Sequence, residues 1–198
     1  MRAAPWIIFV VAFGLLAGGA YVHRDDPAAL VVIGLYALWL LVEAPVALRA
    51  TNAPQDAWTI VPYGAARLAT IGCCLLVPGE RAAWFWATAA LFVGGIVLRE
   101  IAIRTLGRFY SHHVVRRSDQ VAVTHGPYRM VRHPAYAGMI LAHLGLVGCF
   151  PGLAAVLALC ALVAAIVWRL RVEEQVLWDM PGYRDYAVSR KRLVPGVW

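Results

Sequence analysis

Between Thr124 and Gly138 the chain reads Thr-His-Gly-Pro-Tyr-Arg-Met-Val-Arg-His-Pro-Ala-Tyr-Ala-Gly, a run dense in groups that can bind or react. Gly126-Pro127 is a turn signal. Pro134 suits the first turn of a helix, where a missing N–H costs nothing. His133 then falls at that helix's cap, beside free backbone N–H groups and the positive end of the dipole. Such a place attracts a carboxylate or phosphate. Tyr136 and Gly138 follow, the glycine small enough to admit a flat ring to the backbone. The plainer reading is an Arg/His/Pro cap that anchors a helix among lipid headgroups.

A second signal begins at Arg169-Leu-Arg-Val-Glu-Glu and continues through Leu177 to Pro181-Gly-Tyr183-Arg-Asp-Tyr186. The paired carboxylates Glu173 and Glu174 stand where the last apolar run gives way to a charged tail. An acidic pair there suits a cationic ligand group, an amine or a sulfonium. Alternatively, Arg171 and Glu174 are at helical spacing and form an ordinary interfacial salt bridge.

Other polar residues carry two readings each. Adjacent His112 and His113 point in different directions on a helix and have no third ligand at metal spacing, so a metal site is not expected. His143 lies seven residues after Tyr136 on the same helical face, either lining the site or packing as a hydrogen-bonded histidine. Arg67 falls mid-helix, where a lone charge is costly and needs a partner. Glu43 is available, as a register-fixing ion pair or as a polar group in a substrate cavity. Arg99-Glu100 marks an interface or faces the pocket. Cys73, Cys74, Cys149 and Cys160 sit in apolar runs without CxxC spacing and read as packing residues.

The elements that must position these groups are apolar helices. Of 198 residues, 62% are hydrophobic and only 15% charged, where a soluble domain is about a quarter charged. Eight Trp and eight Tyr suit two membrane interfaces. The net charge of +7 comes from residues between and after apolar runs, which favours lipid headgroups or an anionic cofactor over nucleic acid. Spanning candidates are Trp6 to Val22, Ala28 to Leu48, Trp58 to Val77 and Ala82 to Ile103, then the shorter Tyr136 to Phe150 and Leu153 to Trp168. The first is a retained span rather than a cleaved leader. Connectors fall at Arg24–Pro27, Asn52–Pro54 and Pro78-Gly79. The arginines of 104–134 and of the tail place both stretches, and both termini, in the cytoplasm.

Together the two signals form a longer pattern: Gly126-Pro-Tyr-Arg-x-Val-Arg-His-Pro-x-Tyr-x-Gly138, then Arg-x-Glu-Glu, Tyr183-x-x-Tyr186 and Arg192-Leu-Val-Pro195. It resembles the isoprenylcysteine carboxyl methyltransferase family and is similar to related membrane phospholipid methyltransferases. The segment Leu106-Gly-Arg-Phe-Tyr-Ser111 resembles that family's helix end before the motif. The resemblance covers roughly 98–195 and leaves the first three helices unassigned. It implies S-adenosylmethionine as cofactor, with S-adenosylhomocysteine as product. Tyr128, Arg132, His133, Tyr136, Gly138, Glu173 and Glu174 become cofactor contacts, and Arg171 (or Arg169) and Glu174 the catalytic pair. A lipophilic acceptor would enter laterally between helices.

The chain is thus expected to be an all-α integral membrane protein of five or six transmembrane helices. Residues 1–198 form one membrane domain. Residues 1–103 supply four helices, and 104–198 supply the cofactor loop, a helical hairpin and the tail. The cytoplasmic cofactor pocket lies between that loop and the tail. An NADPH-dependent lipid or sterol reductase and a lipid transporter using Arg67 and Glu43 are the competing readings. Short loops and an Arg- and Ala-rich, Lys-poor composition suggest a prokaryotic membrane.

Overall fold

A computed structural model describes residues 4–47, 57–77, 82–110 and 122–198. Seven α-helices are described: α1 (Ala4–Val22), α2 (Pro27–Ala47), α3 (Ala57–Leu75), α4 (Phe85–Leu106), α5 (Pro134–Cys149), α6 (Leu153–Leu177) and α7 (Tyr183–Ser189). Short 3-10 turns cover Gly107–Phe109 and Gly126–Arg129. The expected connectors at Asn52–Pro54 and Pro78-Gly79 lie outside the described residues, as do His112, His113, Arg2, Arg49, Arg81, Arg116 and Arg117.

Three stretches are long and apolar enough to cross a membrane: Pro27–Val46, Phe85–Phe109 and Leu153–Leu177. Two shorter apolar helices, Trp6–Val22 and Pro134–Cys149, complete the apolar set among the described residues. α3 is more mixed, because it carries the buried polar residues Thr59, Arg67 and Thr70.

Local chemistry explains several boundaries. The Asp26 carboxylate accepts the N–H groups of Ala28 at 3.0 Å and Ala29 at 3.3 Å, capping α2 behind Pro27. Pro134 opens α5, and Pro151-Gly152 separates α5 from α6. One boundary differs from expectation. α6 does not stop at Trp168 but continues to Leu177, since Arg169 to Leu177 are good helix formers with no breaker among them. The residues read as the start of a tail are therefore fixed on a rigid helix.

α4 and α5 form the tightest pair. A Cβ at Gly138 would stand 2.7 Å from both Arg99 N and Gly95 O, and Gly95 and Gly145 press equally closely on the facing helix. Small residues at these positions let two backbones touch, which is how helices associate where lipid supplies no hydrophobic drive. Gly138 thus meets the α4 backbone, where a flat ring had been expected. α3 packs along α6, and α1 against α3 and α2. Between the helices lies a core of Tyr36, Trp39, Phe85, Phe92, Met139, Leu146, Leu162 and Ile166.

Polar groups also enter this core. Glu43 is paired with Arg99 through Nε, receives Trp39 Nε1 at 2.8 Å and lies 3.8 Å from Arg67 Nη1. The Arg67–Glu43 pair anticipated from sequence is present, and Arg99 joins it. Arg67 Nε donates to Tyr36 Oη at 2.9 Å. That leaves the tyrosine hydrogen for His143 Nε2 at 2.9 Å, so His143 carries its proton on Nδ1 and donates it to Met139 O at 2.9 Å. His143 is a satisfied packing histidine.

Candidate active site

The site forms where the loop before α5, the C-terminal end of α6, and the tail converge. Gly126 adopts φ 59° and turns the chain into the 3-10 segment Gly126–Arg129. The loop then meets the tail edge to edge. Val131 bridges Lys191, Arg132 N donates to Lys191 O at 2.8 Å, and His133 N donates to Arg192 O at 3.0 Å. α7 is pinned to the same loop by Tyr186 Oη, which donates to Tyr128 O at 2.7 Å, with Val131 O at 3.2 Å.

Glu174 is the centre of this junction. Its side chain is 3% exposed, and both carboxylate oxygens are engaged. Oε1 accepts from Arg132 Nη1 at 2.8 Å and His133 Nε2 at 3.2 Å, while Oε2 accepts from Arg192 Nε at 2.8 Å. A carboxylate accepts hydrogen bonds only, so His133 carries a proton on Nε2. One side chain thereby joins helix, loop and tail. The salt bridge between Arg171 and Glu174, the alternative reading of that pair, is replaced by these partners, and Arg171 is exposed.

The neighbouring Glu173 does something different. Tyr136 Oη donates to its Oε2 at 2.7 Å, and Arg169 Nε donates to Tyr136 Oη at 3.0 Å. Arg169 Nη1 reaches across to Thr59 Oγ1 on α3 at 2.7 Å. The direction of donation is therefore fixed, Arg169 to Tyr136 to Glu173. Of the two arginines offered by the sequence, Arg169 is the one turned inward, being 3% exposed.

Unpaired donors sit beside these chains. Arg132 Nε and Tyr183 Oη are buried without a hydrogen-bond partner. Burial raises the pKa of Tyr183, and the nearby Glu174 carboxylate raises it further. Burial likewise holds Tyr128 well above its ordinary value, with Tyr110 and Glu173 adding to the effect. Both phenols therefore remain neutral donors at physiological pH.

Tyr128, Arg132, His133, Tyr136, Glu173 and Glu174 are thus gathered in one region, while Gly138 faces α4 and Arg171 faces outward. Sequence reasoning assigned no role to Thr59, Arg192 or Tyr183. Thr59 had a usable signal, since Thr59, Tyr63 and Arg67 recur every fourth residue on an otherwise apolar helix.

Residues 88–179 match the isoprenylcysteine carboxyl methyltransferase (ICMT) family. Just under half of this chain therefore carries that family's pattern. ICMT relatives include protein-S-isoprenylcysteine O-methyltransferase A of Arabidopsis thaliana, 32% identical over 136 residues, covering 62% of this chain and 66% of the relative. Form B of the same plant is 31% identical over 61% of this chain and 63% of its own. The cobalt-zinc-cadmium resistance protein CzcN of Cupriavidus metallidurans is 31% identical over 56% of this chain and 51% of its own. The chain thus spans less than two thirds of the curated relatives it matches. The solved structure of the eukaryotic intramembrane Ras methyltransferase ICMT superposes with a TM-score of 0.53 at 22% identity. It covers 94% of this chain and 74% of that one, a likeness of fold that includes the helices before the family match. An all-α integral membrane fold of the ICMT type follows.

Proposed function

We infer that this protein is an S-adenosylmethionine-dependent methyltransferase. Its acceptor is the carboxylate of a lipophilic, prenylcysteine-type molecule reached from the membrane. The observation that carries this reading is the Arg169–Tyr136–Glu173 chain, set beside buried donors that lack partners.

The residues fit the cofactor's chemistry. Its amino acid end needs an anion for the ammonium and donors for the carboxylate. Glu173 would supply the first, and Arg132 Nε and Tyr183 Oη the second. Tyr128, His133 and Tyr136 would form the wall around them. When bound, the cofactor supplies a methyl on a sulfonium. In the reaction the methyl would go to a carboxylate oxygen and the C–S electrons to sulfur, giving an ester and a thioether.

The chain's own residues then have limited work. A carboxylate acceptor is ionised at neutral pH, so no general base is required. Arg169 orients it, held in place by Thr59 and Tyr136. Catalysis rests on positioning and a water-poor setting. Glu174 acts through Arg132, His133 and Arg192 to hold the loop and tail together, a positioning role. Residues 1–103 and 104–198 work as one membrane unit. The site faces the cytoplasm, on the side of the Arg-rich loop and tail.

The test is calorimetric binding of S-adenosylhomocysteine to the detergent-purified chain, followed by labelled methyl transfer to S-farnesyl-N-acetylcysteine. Binding that is weakened at least about tenfold by Glu173→Gln supports the pocket. Absence of binding in a folded sample that responds to NADPH overturns it.

A further inference from the structure

Glu173 and Glu174 stand near the end of α6, and that helix starts at Leu153 on the far side of the bundle. There the ends of α1, α3 and α5 and the starts of α2, α4 and α6 surround a cavity of about 160 Å³. Phe85, Phe150 and Val77 line it, with the thiols of Cys73, Cys74 and Cys149. Its polar groups are His23 and Asp26 from the α1–α2 connector and the backbone of residues 152–155.

Two features of this cavity ask for an anion, each independently of the other. α6 opens on Gly152, which has no side chain to cap it, and its first hydrogen bond runs from Val156 N to Gly152 O at 3.0 Å. The N–H groups of Leu153, Ala154 and Ala155 precede that bond and carry the positive end of a 25-residue helix. A Cβ at Gly152 would meet open space. His23 is 9% exposed, and its ring packs on Phe150 with centroids 5.0 Å apart. Its Nε2 is buried with no hydrogen-bond partner among the described residues, a costly state that a ligand would relieve. Asp26 adds the opposite charge. Its Oδ1 accepts from Ala28 N and Ala29 N, and a carboxylate offers about four acceptor sites in all. A bare anion would be repelled there, whereas an anion that carries its own cation would be held at both ends.

The setting names the source of such a group. Tyr21, Trp84 and Trp86 are exposed at this same end, as aromatic residues are at the headgroup level of a bilayer. Val77 and Leu153 flank the cavity, both exposed, and offer apolar surface to acyl chains. We propose that this cavity holds the headgroup of a zwitterionic phospholipid. Its phosphate sits on the start of α6 and on His23 Nε2–H, with its ammonium toward Asp26. The bound lipid ties these helix ends together in the leaflet opposite the methyl-transfer site. Its amine is a helix length away from Arg169 and Glu173, so it is not a methyl acceptor. The proposal stands apart from the methyl-transfer reading.

The test is native mass spectrometry and thermal unfolding of the full chain in detergent, titrated with phosphatidylethanolamine, phosphatidylglycerol and soluble O-phosphoethanolamine. Phosphatidylethanolamine should bind saturably and raise the Tm, with phosphatidylglycerol at least about tenfold weaker. Gly152→Asp sets a carboxylate over the same N–H groups as a helix cap, so the lipid-free chain should stay folded while its response to the lipid is lost. Leu153→Pro deletes one N–H where a helix tolerates proline, and His23→Leu deletes the ring nitrogens. Each should weaken lipid binding at least about fivefold. A full lipid response in Gly152→Asp overturns the proposal. So does equal binding of the two lipids by wild type, a result that needs no variant to fold. O-phosphoethanolamine acting at the same concentration as the lipid would give the site to soluble phosphates and overturn the lipid assignment.

Discussion

Replacing Glu174 by Gln changes one oxygen to an amide and removes the charge shared by Arg132, His133 and Arg192. The amide can accept on one side only, so its NH2 must face either the Arg132–His133 pair or Arg192. Breaking a buried ion pair from one side costs about 3–5 kcal/mol. Arg192 is 32% exposed and its side of the cluster is partly screened, which puts the expected loss near the lower figure, about 3 kcal/mol. The two backbone bonds from Arg132 N and His133 N to the tail survive, each worth about 1 kcal/mol. They cannot offset it. At 1.4 kcal/mol per decade, the amides of Arg132 and His133 should lose roughly 100-fold of their hydrogen-exchange protection. Helix α4 should keep its own. Arg192→Gln should act on the same amides, and the double variant should fall short of the sum. Exchange at Arg132 and His133 within about threefold of wild type would refute the reasoning that Glu174 clamps loop to tail.

Four further outcomes follow from the geometry. Gly138→Val should destabilise the protein by about 1–3 kcal/mol or more in thermal unfolding without any cofactor present, because its side chain would enter the α4 backbone. Arg169→Ala should abolish methyl transfer while Arg171→Ala leaves it near wild type, a contrast read in one labelled-methyl assay. Tyr136→Phe breaks the link between Arg169 and Glu173 and should lower turnover by about 10- to 100-fold. Tyr186, whose pKa burial lifts to about 12, favours the neutral phenol in the folded state. Stability should therefore decline as pH rises above the ordinary tyrosine value near 10 and level off past 12, and Tyr186→Phe should flatten that decline in a pH series of melting curves.

Much of the fold was legible because apolar runs of spanning length leave few alternatives. The loop motif was legible because Gly126, Pro127 and Pro134 dictate backbone shape locally. What the sequence concealed depends on which way a residue faces. Arg169 and Arg171 are two apart on a helix and point to different sides, and only the continuation of α6 past Trp168 decides between them. Gly138 looks alike whether its open side meets a ligand or α4. The division of labour between adjacent Glu173 and Glu174 arises from Arg192, a residue eighteen positions later. The spacing of Thr59, Tyr63 and Arg67 marks a polar face on α3, but that Thr59 meets Arg169, 110 positions away, is fixed only by the packing of α3 on α6.

The last two long helices are unequal partners. α5 has 16 residues and α6 has 25, so their lengths are about 24 Å and about 37 Å. A hydrocarbon layer is about 30 Å thick, more than α5 alone can cross. Where α5 spans beside α6, its beginning, with His133 and Tyr136, is expected to lie below the headgroup plane, with the bilayer thinning to meet it. On the proposed methyltransferase reading, a greasy acceptor would then climb a shorter distance to reach the site. Thicker bilayers would deepen the dimple at an elastic cost, so on that reading the membrane's own thickness would act on turnover in a way that no pocket residue encodes.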